Sequence, residues 1–267
     1  MKKTNVMWLC ESAVMIALST VLSLFAVIKM PYGGSVTAFS MVPPLLIAYR
    51  YGTLKGLATG FIHGLLQMFL GLSDVSYAFG ISAAAGIAVI LLDYIVAFGV
   101  LGLGGAFRKA FKTQGSAVLS GALLVCLLRF ICHVISGCTV WAGVSIPDAE
   151  GFIYSLVYNS AYMIPETFVT LAGAWYVSRV IDMRGQTLSR NREGAIGSDI
   201  FSILGVALIL GGVLFDALSL FSSIQTEAGY DITNVANADF VTIGIVSAVC
   251  FAIGVVLIII GKKKKEC

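Results

Sequence analysis

Residues 116–143 read SAVLSGALLVCLLRFICHVISGCTVWAG, an apolar run interrupted only by the cationic Arg129 and the imidazole of His133. A helix needs about 20 largely apolar residues to cross the hydrocarbon core of a bilayer, so this run predicts a transmembrane helix that carries two polar side chains with it. Comparable runs recur on either side, and the predicted helices fall near 7–29, 38–54, 56–72, 79–106, 116–143, 152–180, 199–222 and 239–261. Eight long apolar helices make an all-α integral membrane bundle, and they exclude a β-barrel, whose strands alternate over about ten residues.

Composition agrees with that reading. Of the 267 residues 58% are hydrophobic and 12% charged, against roughly 25% charged in a soluble domain. The first apolar run lacks a small-residue cleavage site and is followed by many more, so it is expected to be a permanent helix and not a removable signal peptide. The six cysteines, Cys10, Cys126, Cys132, Cys138, Cys250 and Cys267, have no CxxC spacing, and they read as small apolar side chains. No metal site and no cofactor are expected. The chain has no Walker-type phosphate loop and no HExxH pattern, so it is not expected to hydrolyse nucleotide, and nothing points to nucleic acid.

Orientation follows Lys and Arg in the short loops. One side collects Lys2, Lys3, Arg50, Lys55, Arg108, Lys109, Lys112, Arg179, Arg184, Arg190, Arg192 and Lys262 to Lys265, fifteen of the seventeen basic residues. The other carries Asp74, Asp148, Glu150, Glu227 and Asp231, with Lys29 as its one basic residue. Both termini are therefore expected in the cytoplasm of a multi-pass plasma-membrane protein. The polar, basic stretch from Arg179 to Glu193 divides the chain into a six-helix core over 1–182, a cytoplasmic linker over 183–198, and a transmembrane hairpin with a basic tail over 199–267.

Ionisable groups at membrane depth are costly and tend to mark a site. Here they are Asp93, Arg129, His133, Glu166, Asp216 and His63. Arg129 and His133, four apart, share a helix face, and Trp141 lies two turns on, roughly 80° round from His133. Tyr154, Tyr158 and Tyr162 repeat at four-residue spacing with Asn159 beside them. Each residue alone has an ordinary structural reading as an interfacial aromatic, an interhelical hydrogen bond or an ion pair of Arg129 with Asp93. Together, on the outward halves of the fourth to sixth helices, they predict an aromatic cavity with few polar groups. A carboxylate among π-faces suits a ligand with positive charge and flat rings. Glu166, after Pro165, is expected to be structural, and His63 and Asp216 are poor site candidates.

The runs Leu128-Arg129-Phe130-Ile131-Cys132-His133-Val134-Ile135-Ser136-Gly137 and Tyr154-Ser155-Leu156-Val157-Tyr158-Asn159, with Trp141 between them and Leu92-Asp93-Tyr94 before them, resemble the thiamine-specific substrate-binding subunits of energy-coupling factor transporters. The resemblance covers about residues 8–182 and includes Ala13-Val14-Met15-Ile16-Ala17 and Met30-Pro31-Tyr32-Gly33-Gly34-Ser35. It implies a six-helix membrane protein that captures thiamine from outside and delivers it in complex with a coupling transmembrane subunit and two cytoplasmic ABC-type ATPases. It further implies that Asp93, Tyr154 and Asn159 contact the aminopyrimidine, that His133 and Trp141 pack on the rings, and that Arg129 and Tyr94 lie close by. The small-xxx-small pair Ala13 and Ala17 is implied to dock the coupling subunit. The segment Pro31 to Val36 is expected to act as a glycine-hinged lid, and residues 199–261 have no assigned role.

Three alternatives stay open at this point. One is a subunit of the same transporter type tuned to another vitamin or a thiamine precursor. Another is a proton-coupled secondary transporter. The third is an intramembrane enzyme using His133 with Asp93 or Glu166, which would need those groups within hydrogen-bond reach.

Overall fold

The computed structural model describes residues 3–30, 34–141, 151–191, 200–226, 229–230 and 232–263. The chain divides into two compact units, Met1–Glu193 and Gly194–Cys267. In the first, α1 (Lys3–Leu24) leads through β1 (Ala26–Lys29) and β2 (Ser35–Thr37) to α2 (Val42–Tyr51), α3 (Thr53–Leu70), α4 (Leu72–Ile81) and α5 (Ala83–Val89). α5 continues into a π-helical turn over Ile90–Val96, a single turn α6 (Ala97–Gly99) and a 3-10 segment over Val100–Gly105. The long α7 (Gln114–Thr139) and α8 (Gly151–Val180) follow, and a short antiparallel pair, β3 (Ile181–Asp182) and β4 (Ser189–Arg190), closes the unit. Glu150, Asp148, Glu227, Asp231 and Arg192 lie outside the described residues, as do Pro31 to Gly33 of the expected lid.

Each expected helix has a counterpart, with instructive differences. Among the described residues five helical runs are long and apolar enough to cross a membrane, Asn5–Leu24, Ala83–Gly105, Gln114–Thr139, Ile203–Leu220 and Phe240–Gly261. α3 and α4 qualify together as a pair bent by 74°. Residues 73–78, expected as loop, are helical because their polar Ser73 and Asp74 fall in the first turn of α4, where a carboxylate favours the helix. The first helix stops at Leu24, and the β-branched Val27 and Ile28 pair with the chain returning through Val36. α2 spans only ten residues, a rise of about 15 Å, because the chain stays extended through Thr37 and turns at Phe39, whose φ is 64°. α2 compensates by burial. Val42 to Arg50 are all buried, so α1, α3 and the 3-10 segment pack around it. Gly52, at φ 92°, lets α2 reverse directly into α3.

Arg50 at the end of α2 is buried, and it ties three parts of the chain together. Its Nε lies 2.8 Å from Glu11 Oε2 of α1, Nη2 donates to the Gln186 carbonyl at 2.8 Å, and Nη1 donates to the carbonyls of Met183 and Gly185 at 3.3 and 3.2 Å. Gln114 reinforces the same end, donating to the Ser178 and Ile181 carbonyls while accepting from the Met183 N–H. A buried guanidinium with a carboxylate and three carbonyls is satisfied only as a set.

The second unit is a hairpin of α9 (Ile200–Ile224) and α10 (Phe240–Lys263), joined through β5 (Gln225–Thr226), β6 (Gly229–Tyr230) and a 3-10 turn over Ile232–Asn237. Gly205 meets Gly254, Gly212 meets Cys250, and Asp216 accepts a hydrogen bond from Ser247, so small and polar residues form one seam at heptad-like spacing. Asp239 caps α10 by accepting from the Thr242 N–H at 3.0 Å, and those Thr242 donors hold its carboxyl below the usual carboxylate range.

Arg50→Ala leaves Glu11 without its cation and three carbonyls without donors. The expected loss is about 3 kcal/mol of stability, read as a lower unfolding temperature in detergent and faster proteolysis within 183–186, whereas Lys109→Ala on the exposed surface changes neither.

Candidate ligand site

The site is organised by a carboxylate on an irregular helix. Asp93 sits in the π-helical turn over Ile90–Val96, and such turns re-aim side chains that a regular helix would spread over several faces. Its Oδ1 lies 2.9 Å from His133 Nδ1, and its Oδ2 accepts from Ser136 Oγ at 2.6 Å and from the Trp141 indole N–H at 3.3 Å. All three donors belong to α7 or the residue pair just beyond it. Arg129, one turn earlier, donates from Nε to His133 Nε2 at 3.2 Å and lies 4.3 Å over the Phe98 ring. Because Nε2 accepts from Arg129, the ring proton is on Nδ1, and His133 is a neutral bridge between guanidinium and carboxylate.

α8 supplies the opposite wall. Tyr154 stacks on Tyr158 with centroids 5.8 Å apart, Tyr158 meets Tyr162 edge-on, and Tyr162 meets the His133 ring edge-on at 6.1 Å. Asn159 donates to the carbonyls of His133 and Ser155 and accepts from the Tyr162 hydroxyl at 2.6 Å. Its carboxamide is therefore engaged on both sides, tying α8 to α7 through the His133 carbonyl and bonding Ser155 and Tyr162 within α8. The two helices approach closely at Gly137, where an added Cβ would stand 2.2 Å from Ser155 Oγ and 3.0 Å from Asn159 Nδ2. Tyr158 also accepts from the Gly34 N–H at 3.1 Å, which brings the chain before β2 against the aromatic row.

These walls enclose a cavity of about 270 Å³, at the small end of the range for small-molecule sites. All seven residues expected at the ligand, Asp93, Tyr94, Arg129, His133, Trp141, Tyr154 and Asn159, line it. Tyr94 turns its hydroxyl toward the Gly71 carbonyl and Asp74. Glu166 stands outside the lining and accepts from the Thr37 N–H at 2.6 Å and hydroxyl at 2.7 Å, which anchors β2 to α8. His63 is buried off the cavity against Ser19 and Phe98. Ala13 and Ala17 are elsewhere, on the exposed face of α1. Among the described residues no cluster of His, Cys, Asp or Glu could hold a metal, and the five described cysteines are free thiols.

Several lining or supporting residues escape the sequence reading, among them Ser136, Asp74 and Tyr77. Ser136 is three residues from His133 and so on its face, a signal present in the spacing. Asp74 and Tyr77 belong to α4, a stretch that reads as loop. Tyr77 stacks nearly parallel on Trp141, 5.9 Å between centroids and 7° between planes.

Gly137→Ala drives a methyl into Ser155 and Asn159. It is expected to cost about 1–3 kcal/mol by overpacking and to lower the unfolding temperature, while Gly99→Ala, with open space around its Cβ position, serves as the silent control.

Comparison with known proteins places this architecture. The chain is 37% identical over 172 residues to the thiamine transporter ThiT of Bacillus subtilis (strain 168), an alignment covering 60% of this chain and 84% of that protein. It is 26% identical over 144 residues to thiamine transporter ThiT of Lacticaseibacillus paracasei, covering 50% of this chain and 68% of that one. The solved structure of ThiT from Listeria monocytogenes shares the fold, with a TM-score of 0.53 at 20% identity, over 65% of this chain and 94% of that chain. The thiamine transporter protein family model (Thia_YuaJ) matches residues 9–181, which hold every lining residue of the cavity. A multi-pass helical membrane fold, a cavity built on Asp93, and this match lead to one conclusion: the chain belongs to the thiamine transporter protein family, a family of transport proteins and not of enzymes.

Proposed function

We propose that the first unit is a high-affinity thiamine-binding subunit that captures its ligand from the extracellular side, with both chain termini in the cytoplasm. The observation that carries this reading is the convergence of Asp93, His133 and Trp141 on one cavity faced by Tyr154 and Tyr158. In it the Asp93 carboxylate accepts from the amino group of the aminopyrimidine, displacing an α7 donor, and a charge-assisted bond of this kind is stronger than a neutral one. Tyr154 gives a phenol and a π-face, Trp141 and His133 pack on the rings, and Asn159 contributes chiefly by fixing α8 against the His133 carbonyl. Arg129 and Tyr94 complete the wall. No cofactor or metal takes part. His133 and Asp93 do lie within the reach that an acid–base pair would need, but the relatives are transporters, so that contact is read as recognition.

The sequence holds no Walker-type phosphate loop, which leaves ion gradients or a partner as the source of energy, and the family resemblance favours partners. The partners are a coupling transmembrane subunit and two cytoplasmic ABC-type ATPases of the energy-coupling factor type. The docking face is α1, on which Ala13 and Ala17 are exposed in one row with Val14, Leu18 and Val21, while Ser12, Ile16 and Ser19 turn inward. A row of small residues lets a second helix approach closely.

Calorimetric titration of thiamine into the purified full chain is expected to give a nanomolar-range Kd, weakened at least about a hundredfold in Asp93→Ala. An absence of binding at tens of micromolar thiamine contradicts the assignment. Ala17→Trp is expected to leave that Kd unchanged and to abolish ATP-dependent uptake in cells, and unimpaired uptake would remove α1 as the docking face.

A further inference from the structure

The cavity's charges do not balance without a ligand. Two carboxylates line it, Asp74 and Asp93, against one guanidinium, Arg129. Arg129 serves Asp93 through the neutral His133 ring, and Glu166 behind the wall has both oxygens bonded by Thr37. Asp74 is left over. Its one hydrogen-bond donor among the described residues is the Tyr94 hydroxyl at a long 3.4 Å, shared with the Gly71 carbonyl at 3.2 Å. No described Lys, Arg or His stands within ion-pair distance of it.

A carboxylate in a first helical turn often serves the helix itself, by capping or through the macrodipole. Asp74 favours α4 only through the macrodipole, which leaves its oxygens free of the helix: the N-terminus of α4 has no side-chain hydrogen bond, and the carboxylate faces the cavity. One turn on and on the same face, Tyr77 presents its ring to Trp141 at 5.9 Å and 7°. α4 therefore brings to the cavity wall a carboxylate held by one long hydrogen bond, and it backs the Trp141 ring with a second aromatic face. Attraction to a cation is stronger in such a partly enclosed space than in open water.

Resting on the thiamine-binding reading above, we propose that Asp74 is the counter-ion for the ligand's permanent positive charge, with Trp141, backed by Tyr77, facing the cationic ring while Asp93 holds the uncharged pyrimidine. The site is thereby selective for a cationic heteroaromatic joined to a hydrogen-bonding ring. Asp74 acts as a specificity residue in this division, and Asp93 as the affinity residue.

The test titrates thiamine and its uncharged thiophene isostere into the full wild-type chain, Asp74→Asn and Asp93→Ala. Wild type is expected to prefer thiamine by at least about tenfold, Asp74→Asn to erase the preference with isostere affinity kept within about twofold, and Asp93→Ala to weaken both ligands alike. A preference that survives in Asp74→Asn overturns the proposal, and so does an equal loss for both ligands, which marks a merely structural part for α4. Failure of wild type to bind either ligand overturns the thiamine reading as well, and it is told apart by appearing before any substitution is made.

Discussion

A carboxylate placed inside a bilayer must find donors, and Asp93 finds three of them on a single neighbouring stretch of chain. His133, Ser136 and Trp141 come from the last two turns of α7 and its end, so satisfying one side chain fixes the rotation and depth of a whole helix against the π-helical turn. Arg129 extends the chain of contacts by one turn, and its guanidinium rests on Phe98, two residues beyond the π-helical turn. α8 is then located by α7, because Asn159 and Ser155 bond to backbone carbonyls of His133 and Val134 across the close approach at Gly137. Removing Asp93 would therefore loosen three walls of the cavity together.

The remaining wall is held by a separate chain of polar contacts. Glu166 fixes Thr37, the Thr37 and Ser40 hydroxyls share a hydrogen bond, and Ser19 of α1 donates to the Ser40 carbonyl and meets His63 of α3. This line runs from α8 through the β1–β2 hairpin to α1 and α3, so it links the cavity's rim to the helix that carries Ala13 and Ala17. At the opposite end Arg50 binds α1 to the turn between β3 and β4. α1 is thus gripped at both ends by buried polar groups, while its outer face between them is apolar and small. Such a helix can present a docking surface without moving relative to the site it serves.

Helical membrane architecture was legible because period and length dominate it: a run such as 116–143 admits no other element. The site was legible to the extent that its residues share helix faces, as Arg129 and His133 do, or Tyr154, Tyr158 and Tyr162. What periodicity misses is irregularity. The π-helical turn that points Asp93 at α7 leaves no mark in a 3.6-residue pattern, and the bend at Gly71 that turns Asp74 to the cavity and sets Tyr77 behind Trp141 reads as a loop. Asn159 carries a second lesson. Its spacing placed it at the cavity, and the geometry shows its carboxamide already bonded to the His133 carbonyl of α7 and to Ser155 and Tyr162 of its own helix, which spacing cannot reveal.

The family match ends at Ile181, and the α9–α10 hairpin has a seam of its own in Gly205, Gly212, Gly254 and the Asp216–Ser247 bond. The account of binding accordingly rests on the first unit, and within it on Asp93. Its most direct test is a high-resolution structure of the full chain with saturating thiamine. The account predicts ligand density between α7 and α8 with the aminopyrimidine amine within hydrogen-bond distance of Asp93. An empty cavity with the Asp93 contacts to His133 and Trp141 unchanged, or thiamine bound elsewhere in the chain, would contradict it.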